Sequence, residues 1–241
     1  MDILTAILFL SVAFFYASVG HGGASGYLAL MALLSFAPVT MRPTALLLNV
    51  AVSLVAFIQY FRKGHFLYDL FWPLALGSIP AAFLGGLVTM DDVVYKKLLG
   101  VLLLLPVVRL AGFKMLSPAG KEEINFGTAV LLGASIGFVS GMIGIGGGIL
   151  LSPLILLIKW ADIRQAAAVS ALFIFVNSLA GFGGLLIGGF EYDARITYLL
   201  LLALIGGTAG SYLGSHRFNT VTLNRLLATV LLIASIKLIL T

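Results

Sequence analysis

Residues 143–147 read Ile143-Gly144-Ile145-Gly146-Gly147, and 124 positions earlier the chain reads Val19-Gly20-His21-Gly22-Gly23. Each cluster ends one apolar run and is followed at once by another, so both read as turns between helices. Glycine takes backbone conformations that a Cβ forbids, and it lets a second group come close to its amide. The same offset puts Gly64-His65-Phe66-Leu67-Tyr68-Asp69 on Gly188-Gly189-Phe190-Glu191-Tyr192-Asp193. After a five-residue slip, Gly77 and Leu84-Gly85 fall on Gly206 and Leu213-Gly214; Lys97-Leu98-Leu99 and Arg109 then fall on Arg225-Leu226-Leu227 and Lys237. Chance does not readily keep polar and glycine positions in register across four segments. The chain therefore divides into a first repeat over 1-113, a connecting loop over 114-125 and a second repeat over 126-241.

Composition gives the solvent. Of 241 residues, 61% are hydrophobic and 10% charged, and mean hydropathy is +1.15. Soluble domains carry about a quarter charged residues, and so small a polar supply cannot cover a surface in water. Soluble enzymes, nucleic-acid binders and disordered chains are excluded. The net charge of +5 is scattered between apolar runs, forms no patch for nucleic acid, and reads as topology signals. Without cysteine there are no disulfides or thiolate metal sites. The run Ile3–Ser18 follows Asp2 and lacks an A-x-A cleavage pattern, so it reads as a retained helix.

Apolar runs bounded by turn or charge clusters predict ten helical segments: Ile3–Ser18, Tyr27–Phe36, Thr44–Phe61, Leu70–Val88, Val94–Leu110, Thr128–Ile143, Ile149–Ile158, Ala166–Leu186, Ile196–Leu213 and Leu223–Leu240. They are apolar on every face, unlike the alternating strands of a membrane barrel. The fold class is an all-α polytopic membrane protein with two repeats of five hydrophobic segments.

The first two runs of each half decide the topology. As one broken helix they give parallel repeats; as a hairpin they give inverted ones. In the hairpin arrangement the side opposite Met1 holds nine basic residues: Arg62, Lys63, Arg109, Lys114, Lys121, Lys159, Arg164, Arg217 and Arg225. The Met1 side holds five: Arg42, Lys96, Lys97, Arg195 and Lys237. The other arrangement divides the same fourteen seven and seven. The positive-inside rule favours inverted repeats with both termini periplasmic. The run Ile3–Ser18 reaches about 24 Å against a hydrocarbon core of about 30 Å, so the glycine turn is expected within the membrane. Backbone of that kind must be buried in protein or line a wet cavity.

A helix begins after each turn, and its N-terminus carries unpaired N–H groups and about half a positive charge. Two such ends aimed at the midplane make an anion site with no buried Lys or Arg, a recurring transporter solution. The candidate binding groups are the amides of Gly20, Gly22, Gly23, Gly144, Gly146, Gly147 and Gly148. Ser25 and Ser152 stand near the starts of the post-glycine helices, and Asn49, Ser53, Ser170 and Asn177 form short polar faces on two apolar helices. His21 is the one ionisable residue in a glycine turn; it can hydrogen-bond substrate or carry a proton, or serve structure alone. Asp69 and Asp193 read as N-caps, and Tyr68 and Trp72 as interfacial residues. There is no G-x-S-x-G elbow, H-E-x-x-H pair or G-x-x-x-x-G-K-[ST] loop, so neither an enzyme nor an ATP-driven pump is expected. No cofactor and no metal site are expected.

Gly20-His21-Gly22-Gly23, Pro43-Thr44-Ala45-Leu46 through Asn49, Gly64-His65-Phe66, Gly77-Ser78-Ile79-Pro80-Ala81 and Gly85-Gly86 resemble the first half of the sulfite exporter TauE/SafE family. Gly141 through Gly148, Ser170-Ala171-Leu172-Phe173 and Asn177-Ser178-Leu179 resemble its second half. The resemblance covers nearly the whole chain. It implies transport of a small sulfur-containing anion, such as sulfite or an organosulfonate, across the cell inner membrane, with export as the expected direction. The partners are then a small inorganic or organic anion and the lipid bilayer. Proton coupling and a homodimer stay open, as do a passive anion channel and a carrier of small carboxylates as rival readings.

Overall fold

The structure, a computed structural model, describes residues 3–18, 24–110, 122–190, 195–217 and 220–241. They form ten α-helices: α1 Ile3–Ser18, α2 Ala24–Leu33, α3 Pro38–Arg62, α4 Tyr68–Leu87, α5 Asp92–Leu110, α6 Phe126–Ile143, α7 Gly148–Leu157, α8 Ile163–Ile187, α9 Arg195–Arg217 and α10 Thr220–Leu240. No strand occurs among the described residues. All ten predicted segments are present, with ends displaced by a few residues. α3, α4, α6 and α8 are long and apolar enough to cross a membrane, whereas α7 has 10 residues and a length of about 15 Å.

Capping chemistry explains the displaced ends. Pro38 opens α3 six residues before the predicted start, because a first-turn position needs no N–H from proline. Asn125 caps α6 by accepting from the Thr128 N–H at 2.9 Å. Asp162 and Gln165 form a reciprocal capping box on α8. The reading of Asp69 as an N-cap is corrected. Leu67 holds that position on α4 without a side-chain bond, and Asp69 lies in the first turn, where the helix dipole favours its charge. Asp193 lies outside the described residues.

The chain folds as two compact units, each drawing on both sequence halves: residues 1–48, 90–113 and 191–241 form one, and residues 49–89 and 114–190 the other. In the first, α1 packs on α9 and α5 on α10. Gly206 allows the first contact, since a Cβ there would lie 2.8 Å from the Ala13 Cβ. Lys237 reaches the end of α2, donating to the Leu33 carbonyl at 2.9 Å and lying 2.8 Å from Ser35 Oγ. Arg42, counted among the basic residues of the Met1 side, lies inside α3 and is buried beside Tyr95, because the helix begins earlier than the apolar run.

In the second unit α4 packs along α6 and α8. Cβ atoms on Gly133, Gly137 and Gly141 of α6 would run into the carbonyls of Leu74, Ser78 and Ala82 on α4. From the other side, Gly77 and Gly85 of α4 would meet the carbonyls of Val130 and Phe138. This is a small-residue seam, in which van der Waals contact between backbones replaces the hydrophobic drive that lipid removes. Leu70, Leu74, Val169 and Phe173 fill the core. Leu76, Leu84, Leu131 and Ile187 face outward, and Tyr68 and Trp72 are exposed in the first turns of α4.

One local motif recurs across the units. The turn after α2 places Ser35 at φ +58°, with the Phe36 N–H on the Met31 carbonyl at 2.9 Å. At the same 124-residue offset Lys159 has φ +58°, with the Trp160 N–H on the Ile155 carbonyl at 3.0 Å. Both are Schellman-type endings that satisfy late helix carbonyls.

Candidate functional site

α6 stops at Gly144, which has φ +90° and donates its N–H to the Ser140 carbonyl at 2.8 Å. Gly146 follows at φ +79° and Gly147, the N-cap of α7, at φ +77°. Three left-handed residues in four positions require glycine, since a Cβ costs about 1–2 kcal/mol in that region. They also reverse the chain. A Cβ on Gly147 would lie 3.0 Å from Ile136 Cγ2 and 3.4 Å from Ser140 Cβ. A helix continued straight from Ile136 would instead carry residue 147 about 16 Å onward. The turn thus brings the C-terminus of α6 and the N-terminus of α7 side by side. The Leu150 and Leu151 N–H groups donate to the Gly147 carbonyl at 3.1 and 2.9 Å, so the amides left without a carbonyl one turn behind them in α7 are those at its very start, Gly148 and Ile149.

Neutral polar groups surround this turn. Asn49 donates Nδ2 to the Gly144 carbonyl at 3.2 Å, across 95 residues of sequence. A Cβ on Gly146 would lie 2.8 Å from Asn49 Nδ2 and 3.2 Å from Ser178 Oγ, with Ile174 at 2.8 Å. Ser152 Oγ donates to the Gly148 carbonyl at 2.9 Å and lies 2.8 Å from Ser170 Oγ. Asn177 donates Nδ2 to the Phe173 carbonyl at 2.8 Å, and the ring of Phe173 lies against Gly147. Ser53 donates to the Asn49 carbonyl, one turn before it in α3.

Both amide nitrogens point at carbonyls, which fixes each side-chain oxygen on the other side. Asn49 Oδ1, Asn177 Oδ1, Ser140 Oγ and Ser178 Oγ are all fully buried, and none has a protein partner. A buried polar atom left so costs about 1–3 kcal/mol. No Lys or Arg side chain is buried among the described residues of this unit.

Of the residues expected from sequence, Asn49, Gly144, Gly146, Gly147, Gly148, Ser170 and Asn177 come together in this unit. Ser53 is adjacent, with its hydroxyl committed to backbone. Ser25 is buried at the start of α2 in the first unit. Gly20, His21, Gly22 and Gly23 lie outside the described residues. Ser140 and Ser178 were not expected. Spacing carried the signal: Ser170, Ile174 and Ser178 repeat every fourth residue on one face of α8, and Ser140 stands one turn before Gly144.

A fold of apolar helices joined by glycine seams, with a polar irregular turn enclosed in protein, is that of a polytopic membrane protein. The family model for the sulfite exporter TauE/SafE matches residues 4–238. The chain is 34% identical over 238 residues to the probable membrane transporter protein y4hK of Sinorhizobium fredii, covering 97% of this chain and 96% of that one. It is 26% identical over 259 residues to the probable membrane transporter protein YjnA of Bacillus subtilis, covering 99% and 100% of the two chains. No solved structure matches the chain. The protein belongs to the sulfite exporter TauE/SafE family.

Proposed function

We propose that this transporter is a secondary carrier of a small sulfur-containing anion, sulfite or an organosulfonate, moved outward across the inner membrane. The observation that carries the reading is the reversed turn Gly144–Gly148. It presents the N-terminus of α7 among buried, uncharged polar groups, where a developing or fixed negative charge gains from the helix dipole. The sequence repeat assigns the same role to the start of α2, so that paired helix ends at the midplane hold the anion. The basic-residue count supports inverted repeats with periplasmic termini. The first and second repeats, 1-113 and 126-241, are then two copies of one helix set.

Counterflow in proteoliposomes tests this. Vesicles loaded with sulfite should accelerate uptake of labelled sulfite, and the rate should saturate. Unsaturating electrical current without counterflow would make the protein a channel. Exchange of carboxylates alone would move the substrate class.

A further inference from the structure

Ile174 stands between two serines on one face of α8, with Ser170 one turn before it and Ser178 one turn after. That face runs along the glycine turn. A Cβ on Gly146 would lie 2.8 Å from Ile174 Cγ2 and 3.2 Å from Ser178 Oγ. A Cβ on Gly148 would lie 2.5 Å from Ile174 Cγ1, closer still to its Cδ1, and 3.4 Å from the Ser170 carbonyl oxygen. One branched side chain thus spans the turn from Gly146 to the first residue of α7. We infer that Ile174 sets the size of the anion admitted here, favouring sulfite over sulfonates that carry an alkyl tail; this rests on the anion reading given above.

Three observations single out this residue. Gly144 through Gly148 are all buried, so a ligand reaches the turn only where a covering side chain yields. Of the described side chains nearest these glycines, Asn49, Ser178, Phe173, Ile136 and Ser140 are buried, and Ile174 alone is half-buried. It is the part of the cover that borders the outside of the packed turn. Ser178 Oγ, next to it, is fully buried without a protein partner, so a donor stands under the cover. The ethyl branch of Ile174 lies against Gly148, whose amide has no carbonyl one turn behind it in α7.

The size limit follows from the chemistry of the two anion classes. Sulfite and a sulfonate present similar oxygens, but a sulfonate has a carbon chain where sulfite has a lone pair. Asn49 and Ser178 are polar, so the apolar place for that chain is the one Ile174 already fills. A tail must displace the isoleucine or hold the charged head away from the amides. A β-branched side chain in a helix has one strongly preferred χ1 rotamer, which makes it a fixed stop. Apolar sites discriminate by about tenfold or more for each methylene. The same side chain keeps water from the helix end, and a drier site strengthens the attraction between its partial charge and an anion.

The test titrates purified full-length protein with sulfite, methanesulfonate, ethanesulfonate and propanesulfonate by calorimetry. The three sulfonates share one charge and differ in tail alone. The wild type should bind them more weakly as the tail lengthens. Ile174→Ala should raise propanesulfonate affinity relative to sulfite by about tenfold. Ile174→Val, which removes only Cδ1, should shift the ratio the same way by less, and it decides alone if Ile174→Ala is not recovered as monodisperse protein. An unchanged ratio, with every anion weakened alike, would make Ile174 a packing residue; that overturns the inference and leaves the anion reading intact. If no sulfur anion binds, but acetate and butyrate do and the variants favour butyrate, the size limit stands and the sulfur reading falls. Binding of no anion by the wild type or either variant would overturn both.

Discussion

Two sets of glycines in the second unit do different work, and their surroundings tell them apart. Those on the α4–α6 seam, Gly77, Gly85, Gly133, Gly137 and Gly141, sit inside regular helices, and each meets a backbone carbonyl of the opposite helix. Those at the turn, Gly144, Gly146 and Gly147, lie at positive φ, and Gly146 and Gly147 meet side chains rather than backbone. A seam glycine is needed for the absence of a Cβ alone. A turn glycine is needed for its dihedral angles as well, and what it meets is side chains drawn from other helices. Composition treats the two sets alike; only the geometry separates a packing seam from an irregular turn.

Breaking the seam should have the largest effect. Gly137→Val would drive its Cβ and branch into the Ser78 backbone, which cannot rotate away as a side chain can. The expected loss exceeds about 3 kcal/mol, the upper range for overpacking. Monodisperse protein should disappear from size-exclusion profiles, with transport falling only in proportion. A folded Gly137→Val variant that had lost sulfite binding would place substrate at the seam.

Gly146→Ala should cost less and reveal more. The methyl group meets a φ of +79° and the Asn49 amide at 2.8 Å, so about 1–2 kcal/mol of strain is expected. Protein should still be recovered, with a lowered melting temperature and sulfite affinity reduced by more than the seam's disruption would explain. The larger Gly146→Val does not separate binding from folding, because strain and clash then act together. Unaltered affinity in Gly146→Ala at matched amounts of folded protein would remove this turn from the site.

Ser170→Ala comes next. It breaks the contact with Ser152 Oγ at 2.8 Å, yet leaves Ser152 its bond to the Gly148 carbonyl at 2.9 Å. A net loss of about 1 kcal/mol is expected in melting experiments. Affinity for sulfite should fall severalfold, because α8 no longer holds the first turn of α7 in place. A change in melting temperature with no change in affinity would make this pair structural.

The sequence carried the helices because lipid demands long apolar runs, and it carried the turn because only glycine breaks such a run with three positive φ angles. Ser140 and Ser178 were legible only through spacing, one a turn before Gly144 and the other on the helix face of Ser170. A lone serine in an apolar helix usually bonds back to its own backbone, as Ser53 does to Asn49. Whether it instead stays unpaired depends on which helix passes opposite, and that follows from the chain reversal at Gly147. Arg42 was hidden for a related reason. The apolar run starts at Thr44, just beyond it, but Pro38 starts α3 a turn before Arg42, and the residue is buried within the helix.

The smallest effect is expected at Lys237, which lies in neither glycine set. Its ammonium donates to the Leu33 carbonyl at 2.9 Å and sits 2.8 Å from Ser35 Oγ, so it satisfies the end of α2 just where Ser35 takes a φ of +58°. A cation at a helix C-terminus gains from the dipole as well as from the hydrogen bond. Lys237→Gln keeps a donor of nearly sufficient length and removes the charge, so stability should fall by no more than about 1 kcal/mol. Sulfite affinity should stay at the wild-type value, since the charge serves a helix end and not the ligand. Titration calorimetry on the variant beside Gly146→Ala is the direct comparison. If Lys237→Gln lowered affinity as much as Gly146→Ala does, a fixed positive charge would be holding the anion, and helix ends alone would not.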